Sequence, residues 1–412
     1  MTSDLSLTFD AVDEAEPGAK WRARWHRSWP AYEAWFTARG GDGGPDRAAC
    51  EAALAAHMPE LVPVHRRLTG LAGGGDRAAR FLSTWCPPAY LGGCSIAARS
   101  AGGAVRLVRN YDLSPDLNEG LLLRSAWTGR PVMGMAEFLW GLSDGVNDRG
   151  FAVALAYGGN SETASGFGIT TILRYLLETC ATTREALAVL RRVPSHMAYN
   201  VVLADASGRT ASVELRPGGG AHVLEPSIAT NHQHGAALPE RPAFTRTHAR
   251  RAHLEALLRA RTAPAELARA FLRPPLFQTA HAACFGTLFT ADYDPVEGAL
   301  ALCWPGATWH QRLDEFREGR RVVRYGSRPR KPGIVLEGGR SRVGRSGPLA
   351  GLAAVREHLG LPARHSFDAW MREAEGGAPD WPALGALFAA EDAAVAGAGG
   401  GGGEVRPPSS GA

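Results

Sequence analysis

Only two lysines, Lys20 and Lys331, occur in the 412 residues, so nearly all of the 45 basic side chains are arginines. Acidic residues number 41 and leave a formal net charge of +4. Without a concentrated basic face, nucleic-acid binding is not expected. Cysteine is also sparse, with six residues at 50, 86, 94, 180, 284 and 303. None forms a CxxC pair, which leaves a zinc ribbon or a thioredoxin-type redox motif unsupported. No apolar run reaches the ~18 residues of a membrane-spanning helix. Met1–Asp13 carries acids and lacks an apolar core, unlike a signal peptide. The expectation is a soluble cytoplasmic protein with free thiols, no metal, no cofactor and no membrane contact. A homo-oligomer is compatible with the sequence.

Apolar residues make up 45% of the chain, enough for a large core or two ordinary ones. Residues 1–93 read as mostly helical, with apolar residues at helical spacing in Trp29–Arg39, Asp46–His57 and Asp76–Trp85. From Cys94 onward short β-type runs appear: Val105–Tyr111, Phe151–Tyr157, Val201–Ala204, Ala211–Leu215, Gly286–Thr290 and Ala299–Trp304. Helices interrupt them at Ile169–Cys180 and Phe244–Arg259. Thr182-Thr183-Arg184-Glu185 is a capping box that opens a further helix, which Pro194 stops. Strands and helices intermixed in this way predict an α+β domain. Residues 94–317 form that domain. Residues 318–348 read as a basic Gly/Pro-rich linker, 349–395 as a short helical extension and 396–412 as a disordered Gly-rich tail.

The chemistry concentrates where the helical part gives way to strands. Leu91-Gly92-Gly93-Cys94-Ser95 opens one strand, and a turn centred near Gly102 returns the chain. The return strand carries Arg109-Asn110-Tyr111-Asp112 back beside Cys94, to within a residue or two. A thiol with an ordinary pKa near ~8.5 is only partly ionised at neutral pH, and a nearby Arg cation favours the thiolate. Cleavage before Cys94 would create an α-amine with a pKa near ~8. That amine could act as base for its own side chain, and Asp112 could orient it. Gly93 would let the 93–94 peptide take the strained shape that thiol attack needs. The plainer alternative is a buried free cysteine beside a surface Arg–Asp pair.

Gly93-Cys94 followed by Arg109-Asn110-Tyr111-Asp112 resembles the isopenicillin-N acyltransferase family of autoproteolytic N-terminal-nucleophile enzymes. More distantly the chain is similar to bile-salt and penicillin V hydrolases. The stretches His57–Leu61, Gly70–Gly74, Gly145–Phe151, Ala198–Asp205 and Thr230-Asn231-His232 follow the family's order from about residue 30 to 317. The resemblance implies a four-layer αββα sandwich with a helical N-terminal pro-segment, 1–93, self-cleaved between Gly93 and Cys94. It also implies acyl transfer from a small-molecule amide or thioester. Cys94 would be nucleophile and its own base, with Arg109 and Asp112 holding its amine and the substrate end. Asn200 and Asn160 would donate to the oxyanion. Arg250, Arg246 or Arg251, with Arg250 preferred, would complete the site. The chain departs from the family in placing Ser95 where Thr usually follows the nucleophile.

Other signals are weaker. His232 and His234 flank Gln233, but no third ligand stands at metal-site spacing. Two other functions stay open. An uncleaved Cys–His hydrolase would need a histidine such as His281 or His232 beside a thiol. A catalytically silent relative would keep the sandwich as a binding module, with the basic 317–346 segment holding an acidic partner.

Overall fold

The computed structural model describes residues 5–90, 92–235, 245–281, 285–325 and 334–335. Among these, two stacked β-sheets of eleven and seven strands carry the architecture. The smaller sheet runs Ile228–Ala229, Gly93–Ala101, Ala104–Leu113, Phe285–Asp294, Ala299–Trp304 and Ala307–Arg312, with Thr279–Ala280 paired to Phe285–Asp294 off this path. Its central hairpin turns through Gly102 and Gly103, at φ of 61° and 82°. Two consecutive positive φ angles are the geometry of the tight turn that matches strand twist, and glycine adopts them without strain. The strands therefore pair Ala101 with Ala104 and, at the far end, Cys94 with Tyr111.

Both faces of this hairpin are covered. Ile96, Ala98, Leu107 and Tyr111 point into a core shared with the larger sheet, which contributes Met133, Ala154, Val202 and Ala204. Ala97 and Val108 point the other way, onto Leu254, Leu267 and Phe271 of the helices Thr247–Arg259 and Leu267–Phe271. Full burial of Ile96 alone contributes about 1.5–3 kcal/mol. The outer face of the larger sheet is covered by Ile169–Thr179 and Thr183–Arg192. Thr182 caps the latter, its hydroxyl accepting from Glu185 N at 3.2 Å. Helix, sheet, sheet and helix thus form the four layers that the resemblance implied. The N-terminal helices Ala19–Ala38, Arg47–His57, Val62–Leu71 and Asp76–Ser83 join the outer core through Trp21, Trp25, Leu54, Leu68 and Phe81. No helix among the described residues is long and apolar enough to cross a membrane.

Two segments differ from the sequence reading. Residues 1–93 are not helical throughout, because Leu5–Asp13 is a strand of the larger sheet. It lies parallel to Leu121–Ser125 on one side and antiparallel to Gly319–Tyr325 on the other. Its Leu7, Phe9 and Ala11 alternate into the inter-sheet core. Correspondingly, the basic linker read at 318–348 begins as that partner strand, with Val323 and Tyr325 inward and Arg320 paired to Asp10 at 2.6 Å. The sandwich therefore extends beyond 94–317 at both ends. The remaining linker but for 334–335, the 349–395 extension, the tail, Cys284 and the Phe244 end of the long helix lie outside the described residues.

Candidate active site

Cys94 is the second residue of its strand and 1% exposed. Strand alternation puts its thiol on the inter-sheet face with Ile96, and Ser95 on the helix side. Gly93 does not have a left-handed φ. What requires glycine there is close approach: a Cβ would lie 2.4 Å from the Phe285 ring and 2.9 Å from the Asp112 carbonyl oxygen. The sequence reading gave it the other reason, backbone freedom.

Arg109 faces the thiol from the neighbouring strand. Its Nη2 donates to Cys94 Sγ at 3.2 Å, and its Nη1 donates to Asp144 Oδ2 at 2.7 Å and Ser143 Oγ at 2.9 Å. The guanidinium also stacks 4.6 Å from the centre of the Tyr111 ring. Arg109 and Asp144 are both fully buried. Asp144 is itself held by Tyr293 Oη at 2.6 Å and Met135 N at 3.2 Å, both donating to Oδ1. Burial pushes the Cys94 thiol up to about 11, and the Arg109 cation offsets only part of that. Burial also works against the Arg109 cation, but Cys94, Asp144 and Glu137 together hold its pKa above the ordinary value.

The other face of the hairpin carries a second network. Arg250, from the helix Thr247–Arg259, donates through Nη1 to the Cys94 carbonyl and, at 2.8 Å, to Ser95 Oγ. Its Nη2 donates to Asn231 Oδ1 at 2.6 Å, and the same oxygen accepts from Cys94 N at 3.1 Å. Asn231 is anchored in turn by Nδ2 donating to Tyr157 O at 3.0 Å and by its own N donating to Thr247 Oγ1 at 2.8 Å. Asp112 lies here, opposite Gly93 in register. Its Oδ1 accepts from Thr287 Oγ1 at 2.6 Å, and its Oδ2 is 3.7 Å from Arg250 Nη1. That Oδ2 is buried with no hydrogen-bond partner among the described residues. Burial raises Asp112, with Arg250 and Thr287 pulling the other way.

Four of the six residues proposed from sequence thus meet, with Arg109 on the thiol side of Cys94 and Asp112 and Arg250 on its backbone side. Arg246 precedes the helix, and Arg251 turns to Glu255 at 3.1 Å. Asn200 spends both Nδ2 protons on the carbonyls of Thr230 and His232, at 2.7 and 3.0 Å. It braces the loop that carries Asn231. Asn160 is engaged in a local turn, its Oδ1 accepting from Glu162 N at 2.8 Å. Among the described residues no histidine is hydrogen-bonded to Cys94 Sγ, and no group of three His, Cys, Asp or Glu could hold a metal ion. His232 is bound to Thr247 Oγ1 at 2.7 Å, with burial pushing it down to about 4. Sequence reasoning gave no role to Asn231, Ser143 or Asp144. Asn231 stood in a quoted motif. Asp144 reaches Arg109 across 35 residues only because the two sheets stack.

Solved structures similar to this chain include penicillin V acylase from Agrobacterium tumefaciens, 16% identical with a TM-score of 0.39 over 56% of this chain and 90% of that one. Another is a conjugated bile acid hydrolase from Clostridium perfringens, 10% identical with a TM-score of 0.38 over 57% and 97%. A third is the Caenorhabditis elegans N-acylethanolamine-hydrolyzing acid amidase ortholog, 16% identical with a TM-score of 0.37 over 49% and 93%. No curated protein matches the sequence. The family model for acyl-coenzyme A:6-aminopenicillanic acid acyl-transferase matches residues 99–309. The matched stretch begins just after Cys94 and includes Arg109, Asp112, Asn160, Asn200 and Arg250. With half of its length matched, the chain belongs to the acyl-coenzyme A:6-aminopenicillanic acid acyl-transferase family.

Proposed function

We propose that this enzyme hydrolyses or transfers the acyl group of small-molecule amides through the thiol of Cys94, released as a chain terminus by scission of the Gly93–Cys94 peptide. One observation carries the reading: Cys94 offers its thiol to Arg109 at 3.2 Å while its backbone N is gripped by Asn231 at 3.1 Å. In the uncut chain that nitrogen has one proton and one acceptor. A freed ammonium has three protons, and the unpartnered Asp112 Oδ2 on the same face supplies a further buried acceptor.

Scission starts with attack of the thiol on the Gly93 carbonyl. The acyl bond shifts from nitrogen to sulfur, and water hydrolyses the resulting thioester, leaving a Gly93 carboxylate and a Cys94 amine. In turnover the neutral amine takes the thiol proton and the thiolate attacks the substrate carbonyl. The amine returns the proton to the leaving nitrogen, and water or a second amine accepts the acyl group. Arg109 stabilises the thiolate, while Asp112 and Asn231 orient the amine. Asn200 and Asn160 are proposed as oxyanion donors, a role commonly worth about 10²–10³ in rate. For Asn200 this requires release of a backbone carbonyl that it now holds. An uncleaved Cys–His mechanism is less well supported, since Arg109 and not a histidine is bonded to the thiol.

Cys94→Ala tests the reading. It should remove both self-cleavage and turnover while the far-ultraviolet spectrum stays that of the wild type. Turnover that survives in Cys94→Ala overturns it.

A further inference from the structure

The strand Phe285–Asp294 does not keep one register beside Ala104–Leu113. Thr290 pairs with Asn110 and Phe289 with Tyr111, but Thr287 pairs with Asp112, so Leu288 is an extra residue. Unbroken counting back from Phe289 would set Leu288 opposite Asp112. The bulge sets Thr287 there instead. It sends Leu288 and Phe289 consecutively into the inter-sheet core, where Phe289 stacks on Tyr111 with ring centres 5.1 Å apart. The displaced Leu288 carbonyl is still paired, since Trp304 Nε1 donates to it at 2.8 Å and Tyr325 Oη donates as well. Bulges are over-represented beside active sites, where they re-aim a side chain. The side chain re-aimed here is Thr287.

Thr287 is fully buried, and its neighbours fix the direction of its hydroxyl. Oγ1 accepts from Gln278 N at 2.8 Å, and Thr287 N donates back to Gln278 O at 3.0 Å. The one hydroxyl proton goes to Asp112 Oδ1 at 2.6 Å. That oxygen is occupied, while Asp112 Oδ2 has no hydrogen-bond partner among the described residues. Buried polar atoms are paired in the great majority of cases. A carboxylate held by one oxygen alone keeps the other for a donor that exists only after scission. Asp112 pairs in register with Gly93, whose carbonyl the thiol attacks. Burial raises the Asp112 carboxyl, and Arg250 and Thr287 pull it back toward the ionised form that an ammonium needs.

We propose that Thr287 is a positioning residue for self-cleavage, pinning Oδ1 of Asp112 so that Oδ2 is left for the Cys94 amine as it parts from the Gly93 carbonyl. The carbon–nitrogen bond breaks as the carbon–sulfur bond forms, and the nitrogen takes up the thiol proton. Asp112 Oδ2 and Asn231 Oδ1 then hold the amine and oppose its return to the thioester. The role rests on Cys94 as the N-terminal nucleophile.

The test follows self-cleavage of the full chain by intact mass after cell-free synthesis, in the wild type, Thr287→Val and Thr287→Ser. Valine keeps the shape and deletes the donor, whereas serine keeps the donor and deletes a buried methyl group. Thr287→Val should cleave at Gly93–Cys94 about tenfold or more slowly, as expected for loss of a hydrogen bond to a charged group. Thr287→Ser should cleave at close to the wild-type rate, although the lost methyl lowers its Tm. A merely structural threonine would make the cleavage rates follow Tm. Wild-type cleavage in Thr287→Val overturns the assignment. So does slow cleavage in a folded Thr287→Ser, which decides the matter if the valine variant fails to fold. Either result leaves the nucleophile reading standing. A wild-type chain that stays uncut removes that reading and the positioning role with it.

Discussion

Replacing Asp144 by asparagine changes one atom in the buried charge network and tests whether Arg109 is held there as a cation. The substituted amide could keep the two bonds that Oδ1 accepts from Tyr293 and Met135. Its nitrogen would then turn N–H toward Arg109, donor against donor, where the carboxylate now accepts at 2.7 Å. Both native side chains are fully buried, so water cannot compensate. Removing one partner of such a pair costs about 3–5 kcal/mol. At about 2–4 °C per kcal/mol for a large domain, Tm should fall by roughly 10 °C. The thiol supplies an independent readout. With Asp144 neutralised, the Arg109 charge turns more fully on Cys94, whose thiol is held up to about 11 by burial. Alkylation of Cys94 at a fixed pH, followed by peptide mass mapping, should therefore become faster. Adding Arg109→Met to Asp144→Asn should recover part of the lost stability, because it removes the buried cation left without its carboxylate while the asparagine oxygen still accepts from Tyr293 and Met135. An unchanged Tm in Asp144→Asn, or slower alkylation, refutes the reasoning.

Asn231→Leu removes the oxygen that accepts from Cys94 N and Arg250 Nη2. Each donor left buried and unpaired costs about 1–3 kcal/mol, so the denaturation midpoint should drop and processing at Gly93–Cys94 should slow. A midpoint equal to that of the wild type contradicts this. Glu119 supplies a pH dependence: burial lifts its carboxyl from 4.5 to about 7, against the donors Tyr32 and Leu139 N. A raised acid stabilises the fold most below its unfolded pKa, and that contribution is lost as pH rises through the folded one. Wild-type Tm should carry this loss between pH 4.5 and about 7, and Glu119→Gln should flatten it. Identical pH profiles for the two proteins exclude Glu119 as the cause.

The strands easiest to read from sequence were apolar runs closed by turn residues. Phe151–Tyr157 and Ala299–Trp304 fall where the alternation and the flanking turns placed them. The hairpin was legible except for its register. Centring the turn on Gly102 put Asn110 opposite Cys94, whereas the two-residue turn puts Tyr111 there. That one-residue step decides which side chains share the thiol's face. Leu5–Asp13 was obscured by the helices that follow it, although Leu5, Leu7, Phe9 and Ala11 alternate as a half-buried strand should. Gly319–Tyr325 was obscured by its arginines, since only Val323 and Tyr325 are buried. Cys94 and Arg109 could be paired from sequence because one hairpin joins them. Asp144 could not, because sheet stacking and not chain proximity brings it in.

The most direct test of the central claim is the intact mass of the purified protein under denaturing conditions. The account predicts two chains, the larger beginning at Cys94 and gaining one acyl group when an amide substrate is trapped. Under native conditions the two should stay together, because Leu5–Asp13 is hydrogen-bonded on both edges inside the larger sheet. A single uncut chain that still turns over substrate would contradict the N-terminal nucleophile.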